Sequence, residues 1–211
     1  MTDALRHLRR GDPVMAQLIR RAGPFTPTPE RGRSPYESLL RSVAHQQLTG
    51  KAANTILGRF CALYEGNRYP LPEELVATPE ERLRAAGFSR AKAASLKDIA
   101  AKTLDGTIPE RRTLARLSDE AIIERLTEAR GVGRWTVEMF LMFTLGRPDV
   151  LPVDDYGIQN GYRLAYGKRQ LPKPRVLATI GERWAPYRTT AAWYLWRAVD
   201  FDRAKRVEEE N

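Results

Sequence analysis

Cysteine is almost missing from this chain: Cys61 is the only one in 211 residues. One cysteine excludes an intramolecular disulfide and any cysteine-only metal or iron–sulfur site within the chain, and it suits a reducing compartment. Its apolar neighbours Phe60, Ala62 and Leu63 predict a buried structural thiol, not a nucleophile. Long apolar runs are missing too. No stretch approaches the ~20 residues of a transmembrane helix, and the Arg-rich segment from Met1 to Arg10 lacks the apolar core of a signal peptide. The expectation is an intracellular protein with no membrane partner. Negative charge is in short supply as well: 26 Asp and Glu face 35 Lys and Arg, giving a formal net charge of +9 and a pI near 9.9. Such a balance attracts polyanions, with nucleic acid first among them.

Alternating strand patterns are scarce, whereas helix start and stop signals recur, so the reading is all-α. Asp12-Pro13 opens a helix that Gly23 can close, and Ser34-Pro35-Tyr36-Glu37 has the form of a capping box. Thr78-Pro79-Glu80-Glu81 repeats that start signal. Ser89 and Ser118 cap further helices, the second predicted to run to Gly131. Three prolines between Phe25 and Arg33 predict a linker, and Asp149 to Val153 a second extended connection. Helical patterning resumes over 155–166 and 174–199, and Glu208 to Asn211 reads as a solvated tail.

Two features carry chemistry. In Gly131-Val132-Gly133-Arg134-Trp135-Thr136 glycine recurs at alternate positions between two amphipathic helices, so backbone NH groups can converge on an anion such as a DNA phosphate. A glycine cap before an ordinary helix is the plainer alternative. Downstream, Asp154 and Asp155 stand before Tyr156 at the head of a predicted helix, where an Asp-Asp pair is often no more than a cap.

With Ser42 to Thr49, Gly87 to Ala93 and Leu151 to Ile158, the glycine hairpin resembles the helix-hairpin-helix DNA glycosylase superfamily, and within it the 3-methyladenine DNA glycosylase II branch. The likeness runs from about Ser34 to Trp196. It implies two helical subdomains, residues 34–145 with the hairpin and residues 1–33 plus 146–211 with the catalytic Asp, and an active site in the cleft between them. The implied activity is excision of alkylated bases such as 3-methyladenine and 7-methylguanine from double-stranded DNA by hydrolysis of the N-glycosidic bond. A non-catalytic module that binds distorted DNA through the hairpin is the alternative.

Register with Tyr156 selects Asp155 as the catalytic carboxylate and leaves Asp154 as cap; anchoring on Pro152-Val153-Asp154 would select Asp154 instead. A carboxylate beside the sugar stabilises an oxocarbenium-like transition state. Lyase-competent relatives carry a lysine where Trp135 stands, so a monofunctional enzyme is expected. The resemblance places Trp135, Tyr156 and Trp196 around the base, with His45 a further lining residue. Gln47 is the expected wedge into the duplex, with Leu48 as fallback. Gly87, Phe88 and Ser89 resemble a second DNA-facing loop, with Phe88 as a core anchor the equal alternative, and Gly131, Gly133, Arg134 and Thr136 are the phosphate contact. No cofactor and no catalytic metal are implied, though hairpin carbonyls can hold a structural sodium or potassium ion. A monomer is expected, cytoplasmic and nucleoid-associated if bacterial.

Overall fold

Helix caps account for most of the architecture in a computed structural model of the chain, which describes residues 2–25, 28–30 and 32–209. Among these residues there is no strand. In chain order, α1 (Asp3–Gly11) is capped by Thr2, and α2 (Pro13–Ala22) by Asp12, whose Oδ1 accepts from Val14 N and Met15 N at 3.0 and 3.2 Å. The sequence reading missed α1, because five basic and acidic residues obscure the spacing of its two buried positions, Leu5 and Leu8.

The predicted capping box at Ser34 is present at the head of α3 (Pro35–His45): Glu37 N donates to Ser34 Oγ at 3.2 Å and Ser34 N to Glu37 Oε2 at 2.8 Å. There follow α4 (Gly50–Cys61), α5 (Pro72–Ala77), α6 (Glu80–Ala85) and α7 (Arg90–Leu104). Thr78 does not cap α6 as its sequence context suggests. Its hydroxyl turns back to donate to Glu74 O at 2.7 Å and lies 2.9 Å from the Tyr64 hydroxyl. Ser89 does cap α7. After α8 (Arg111–Leu114), α9 (Asp119–Leu126) stops five residues short of the predicted Gly131, and the turn leads into α10 (Arg134–Phe140), which winds on as a π-helical turn over Leu141–Leu145. The chain ends with α11 (Tyr156–Ala165), α12 (Pro174–Gly181) and α13 (Arg188–Glu209). The supposed C-terminal tail is thus helical through Glu209; Glu210 and Asn211 lie outside the described residues.

Two units result, residues 30–145 and residues 1–29 with 146–211. In the first, α3 packs on α4, α7 and α10, and its Leu39, Leu40, Val43 and Ala44 are buried with Leu96, Ile99, Val137 and Phe140. Arg111 ties the start of this unit down, donating to Glu30 O (3.0 Å), Arg33 O (2.8 Å) and Thr144 O, while Glu30 N donates to Phe143 O. In the second, α13 packs on α2 and α11. Asp12, 1% exposed, has a second oxygen that accepts from the Tyr166 hydroxyl and from Trp184 Nε1 at 3.0 Å. Burying a carboxylate is costly unless its oxygens are hydrogen-bonded in this way. Phe25, read as linker, instead stacks on Trp193 at 3.8 Å and donates its NH to the Tyr194 hydroxyl, while Thr26, Pro27 and Arg31 of the proposed linker lie outside the described residues. No helix among the described residues is long and apolar enough to cross a membrane.

Candidate active site and nucleic-acid interface

Of the two adjacent aspartates, only one is built into its surroundings. Asp155 is itself the cap of α11, with φ −70° and ψ 119°; its Oδ1 accepts from Ile158 N at 2.7 Å and from the indole Nε1 of Trp196 at 3.0 Å. Asp154 is exposed and lies one residue outside the cap, so the expected division with Asp154 as the capping residue is incorrect. The helix begins one residue later than that division requires.

Two glycines missed at the sequence level make this contact possible. A Cβ on Gly157 would lie 2.9 Å from Trp196 Cδ1 and 3.0 Å from Asp155 Oδ1, and a Cβ on Gly161, one turn on, would lie 2.0 Å from Leu195 O. Bare backbone on this face lets α13 approach α11 closely enough for Trp196 to reach the carboxylate. The Gly-x-x-x-Gly spacing was the legible signal. Trp193 instead is half-buried, stacked on Phe25 and edge-on to Tyr194. Tyr156 is 68% exposed.

Within residues 30–145, a cavity of about 640 Å³ is lined by Ser38, His45, Gln47, Trp135, Thr136, Met139 and Phe143, among others. Trp135, part of that lining, is 47% exposed. The buried atoms Ser38 Oγ and His45 Nε2 have no protein hydrogen-bond partner. Burial pushes the His45 imidazole below its ordinary pKa, helped by the positive charges of Arg41 and Lys92. The wall of this cavity includes the π-helical turn, a feature common at functional sites.

At the hairpin, Gly131 takes φ +76°, and a Cβ there would lie 2.5 Å from Ser95 Oγ, so both conformation and space call for glycine. Gly133 caps α10 in extended conformation. Arg134 is already paired, its guanidinium meeting Glu120 at 2.8 and 3.0 Å and Glu138 at 3.2 Å. Its hydrogen bonds hold the Glu120 carboxyl below the usual range. Thr136 is 4% exposed and lines the cavity.

On the other expected contact surfaces, Gln47 is exposed with φ +59° and Leu48 is 40% exposed. Gly87 and Ser89 are exposed, but Phe88 is not: at 4% exposure its ring packs edge-on against Phe60 at 5.5 Å, so the side chain is a core anchor and not a DNA contact. Cys61 is half-buried, and burial pushes its thiol above the ordinary value, away from nucleophilic character.

A family model described as "HhH-GPD superfamily base excision DNA repair protein" matches residues 40–186 of this chain. The chain belongs to the HhH-GPD superfamily. Within it, the chain is 44% identical over 198 residues to DNA-3-methyladenine glycosylase 1 of Schizosaccharomyces pombe, covering 93% of this chain and 87% of that protein. Among solved structures it is similar to the S. pombe 3-methyladenine DNA glycosylase in complex with abasic DNA (TM-score 0.85, 45% identity, 93% of this chain and 96% of that one). It is also similar to a DNA-3-methyladenine glycosidase from Bacillus halodurans (TM-score 0.82, 36% identity, 93% and 89% covered).

Proposed function

We propose that this chain is a monofunctional DNA glycosylase that removes alkylated bases, 3-methyladenine and 7-methylguanine among them, with Asp155 as the catalytic carboxylate. The observation that carries this reading is the fixed Asp155 carboxylate at the head of α11, held by Ile158 N and Trp196 Nε1. As the C1′–N bond breaks, its electron pair leaves with the base and positive charge builds on the sugar. An anion held beside C1′ stabilises that charge more than it stabilises the neutral ground state. Water then supplies the oxygen bonded to C1′, and its proton is taken up by the carboxylate or solvent, leaving an abasic site.

A base methylated on N3 or N7 of its ring is cationic and leaves readily; Trp135 is an electron-rich ring at the cavity wall that attracts such a cation, and Ser38 and His45 offer hydrogen-bonding atoms there. Gln47 and Leu48 are the residues available to fill the space of the extruded nucleotide. Gly131 and Gly133 leave the hairpin backbone open to a phosphate. Arg134 can exchange Glu120 for that phosphate, because an exposed ion pair contributes only ~1 kcal/mol or less. Turn carbonyls also suit a sodium or potassium ion: Ala129 O and Gly131 O each accept one hydrogen bond, from Val132 N and Gln46 Nε2, and each keeps a second lone pair. Such an ion would add positive charge beside the phosphate.

Lyase chemistry needs a free amine at the sugar. Trp135 supplies none, and Lys92 and Lys97 are committed to carbonyls, Lys97 to Thr78 O at 2.9 Å and Lys92 as described below. Relatives named as glycosylases favour the enzyme over a non-catalytic module. Incubation with methylated duplex DNA should release 3-methyladenine and 7-methylguanine and leave intact strands with abasic sites. Borohydride should trap no covalent adduct; a trapped adduct would refute the monofunctional assignment, and absent release would refute the reading as a whole.

A further inference from the structure

The wedge turn holds a conformation that its own sequence does not favour. Gln47 sits at φ +59°, in the left-handed region that a non-glycine residue avoids, directly after α3 ends with its last carbonyls lacking intrahelical partners. Lys92 meets those carbonyls: its Nζ donates to Ala44 O at 2.9 Å and to Gln46 O at 2.6 Å. On its own helix Lys92 is badly placed, since it lies in the first turn of α7, where the helix dipole disfavours a cation. Its position is explained by the C-terminus of α3, where the dipole favours one.

The same face of α7 reaches the hairpin. Ser95, three residues on from Lys92, packs against Gly131 closely enough to forbid a Cβ, and Asp98, three further, accepts from Arg130 N at 2.7 Å. Gln46 closes the circuit by donating its amide to Gly131 O at 2.9 Å. Two DNA-facing turns distant in sequence are thus fastened to one helical stripe.

We propose that Lys92 is a positioning residue for base extrusion: with Ser95 and Asp98 it sets the Gln47 turn in fixed register with the phosphate-binding hairpin, so that wedge and phosphate grip engage one strand at a set offset. The inference rests on the DNA-glycosylase reading above. Loss of the ammonium frees the turn to relax out of the left-handed conformation and withdraws the Gln47 side chain.

Lys92→Met, which keeps the stem and removes the donor, and Lys92→Arg, which keeps a donor, test this. Fluorescence of 2-aminopurine next to an abasic-site analogue reads extrusion, binding to analogue and undamaged duplexes reads discrimination, and single-turnover release reads chemistry. Lys92→Met is expected to lower the fluorescence rise and the preference for the analogue by on the order of tenfold to a hundredfold, as angstrom-scale misplacement does. Binding to undamaged duplex should stay near wild type, and Lys92→Arg should recover most of the loss. Wild-type fluorescence and discrimination in Lys92→Met would overturn the proposal, as would an equal loss on both duplexes without rescue by Arg, which marks a general folding defect. If Lys92→Met does not fold, Gln46→Met, which cuts only the bond to Gly131, must show the same selective loss, and wild-type behaviour there overturns the register. Should the wild-type protein release no alkylated base, the functional reading fails while the extrusion and discrimination measurements still judge Lys92.

Discussion

Replacing Asp155 with Asn removes one negative charge and little else. The Asn side-chain carbonyl can accept from Ile158 N and Trp196 Nε1 as Asp155 Oδ1 does, at 2.7 and 3.0 Å, and Asn caps helices about as well as Asp. The thermal midpoint should therefore hardly move. The rate should collapse. A unit charge ~4 Å from the developing cation, at an effective dielectric of ~20, contributes about 4 kcal/mol. At ~1.4 kcal/mol per tenfold, that is about a thousandfold in the single-turnover rate of base release. Asp155→Ala should match the lost rate and also cost about 1 kcal/mol of stability, because the cap goes too. The measurement is release of 7-methylguanine from methylated duplex under enzyme excess, with melting curves for each variant. A wild-type rate in Asp155→Asn would refute the assignment. If Asp154→Asn lost the rate instead, the carboxylate would have been misplaced by one residue.

His45 should titrate below ~6.5, because burial, Arg41 and Lys92 disfavour its cation. A lowered folded-state pKa means that its contribution to stability is complete above ~6.5 and is lost as pH falls through the folded value. Release of cationic bases should decline over the same acid window, and His45→Asn should flatten that limb; imidazole NMR resonances titrating at or above 6.5 would contradict it. Gly161→Ala forces a Cβ to within 2.0 Å of Leu195 O, a clash with backbone that should cost about 3 kcal/mol, the upper end for overpacking, and slow base release by spoiling the Trp196–Asp155 contact. Gly58→Ala in α4 meets nothing within 4 Å and should be neutral or stabilising by up to ~1 kcal/mol; equal melting points for the two variants would refute the close-packing account.

The sequence was most readable where structure is local. Ser34 to Glu37 and Ser89 are capping patterns completed within three residues, and both form as expected. Gly131 was likewise legible, because a tight turn leaves few choices of residue. What failed depended on neighbours distant along the chain. Thr78 looks like a cap until Tyr64 is found beside it. Phe88 looks like a loop tip until Phe60 is seen to meet its ring. The pairing of Arg134 with Glu120 was likewise not legible, because Glu120, fourteen positions earlier, carries no local sign of it. The Asp154–Asp155 division went wrong for a different reason: a helix start shifts by one residue at small cost, which exchanges the roles of two identical side chains. Lys92 was given no role, because nothing near it in sequence shows that its ammonium meets Ala44 O and Gln46 O.

The discontinuity of the unit formed by residues 1–29 and 146–211 has a consequence for biosynthesis. Residues 30–145 leave the ribosome as one unbroken stretch that can settle at once, whereas the buried positions Leu5, Leu8 and Met15 must wait for α13. At roughly 10 residues per second that delay is on the order of ten seconds or more, during which α1 and α2 present apolar faces to chaperones and proteases. The carboxylate is also made late. A translation product broken off after α10 would carry the hairpin without Asp155, so on the proposed function it would lack the catalytic carboxylate.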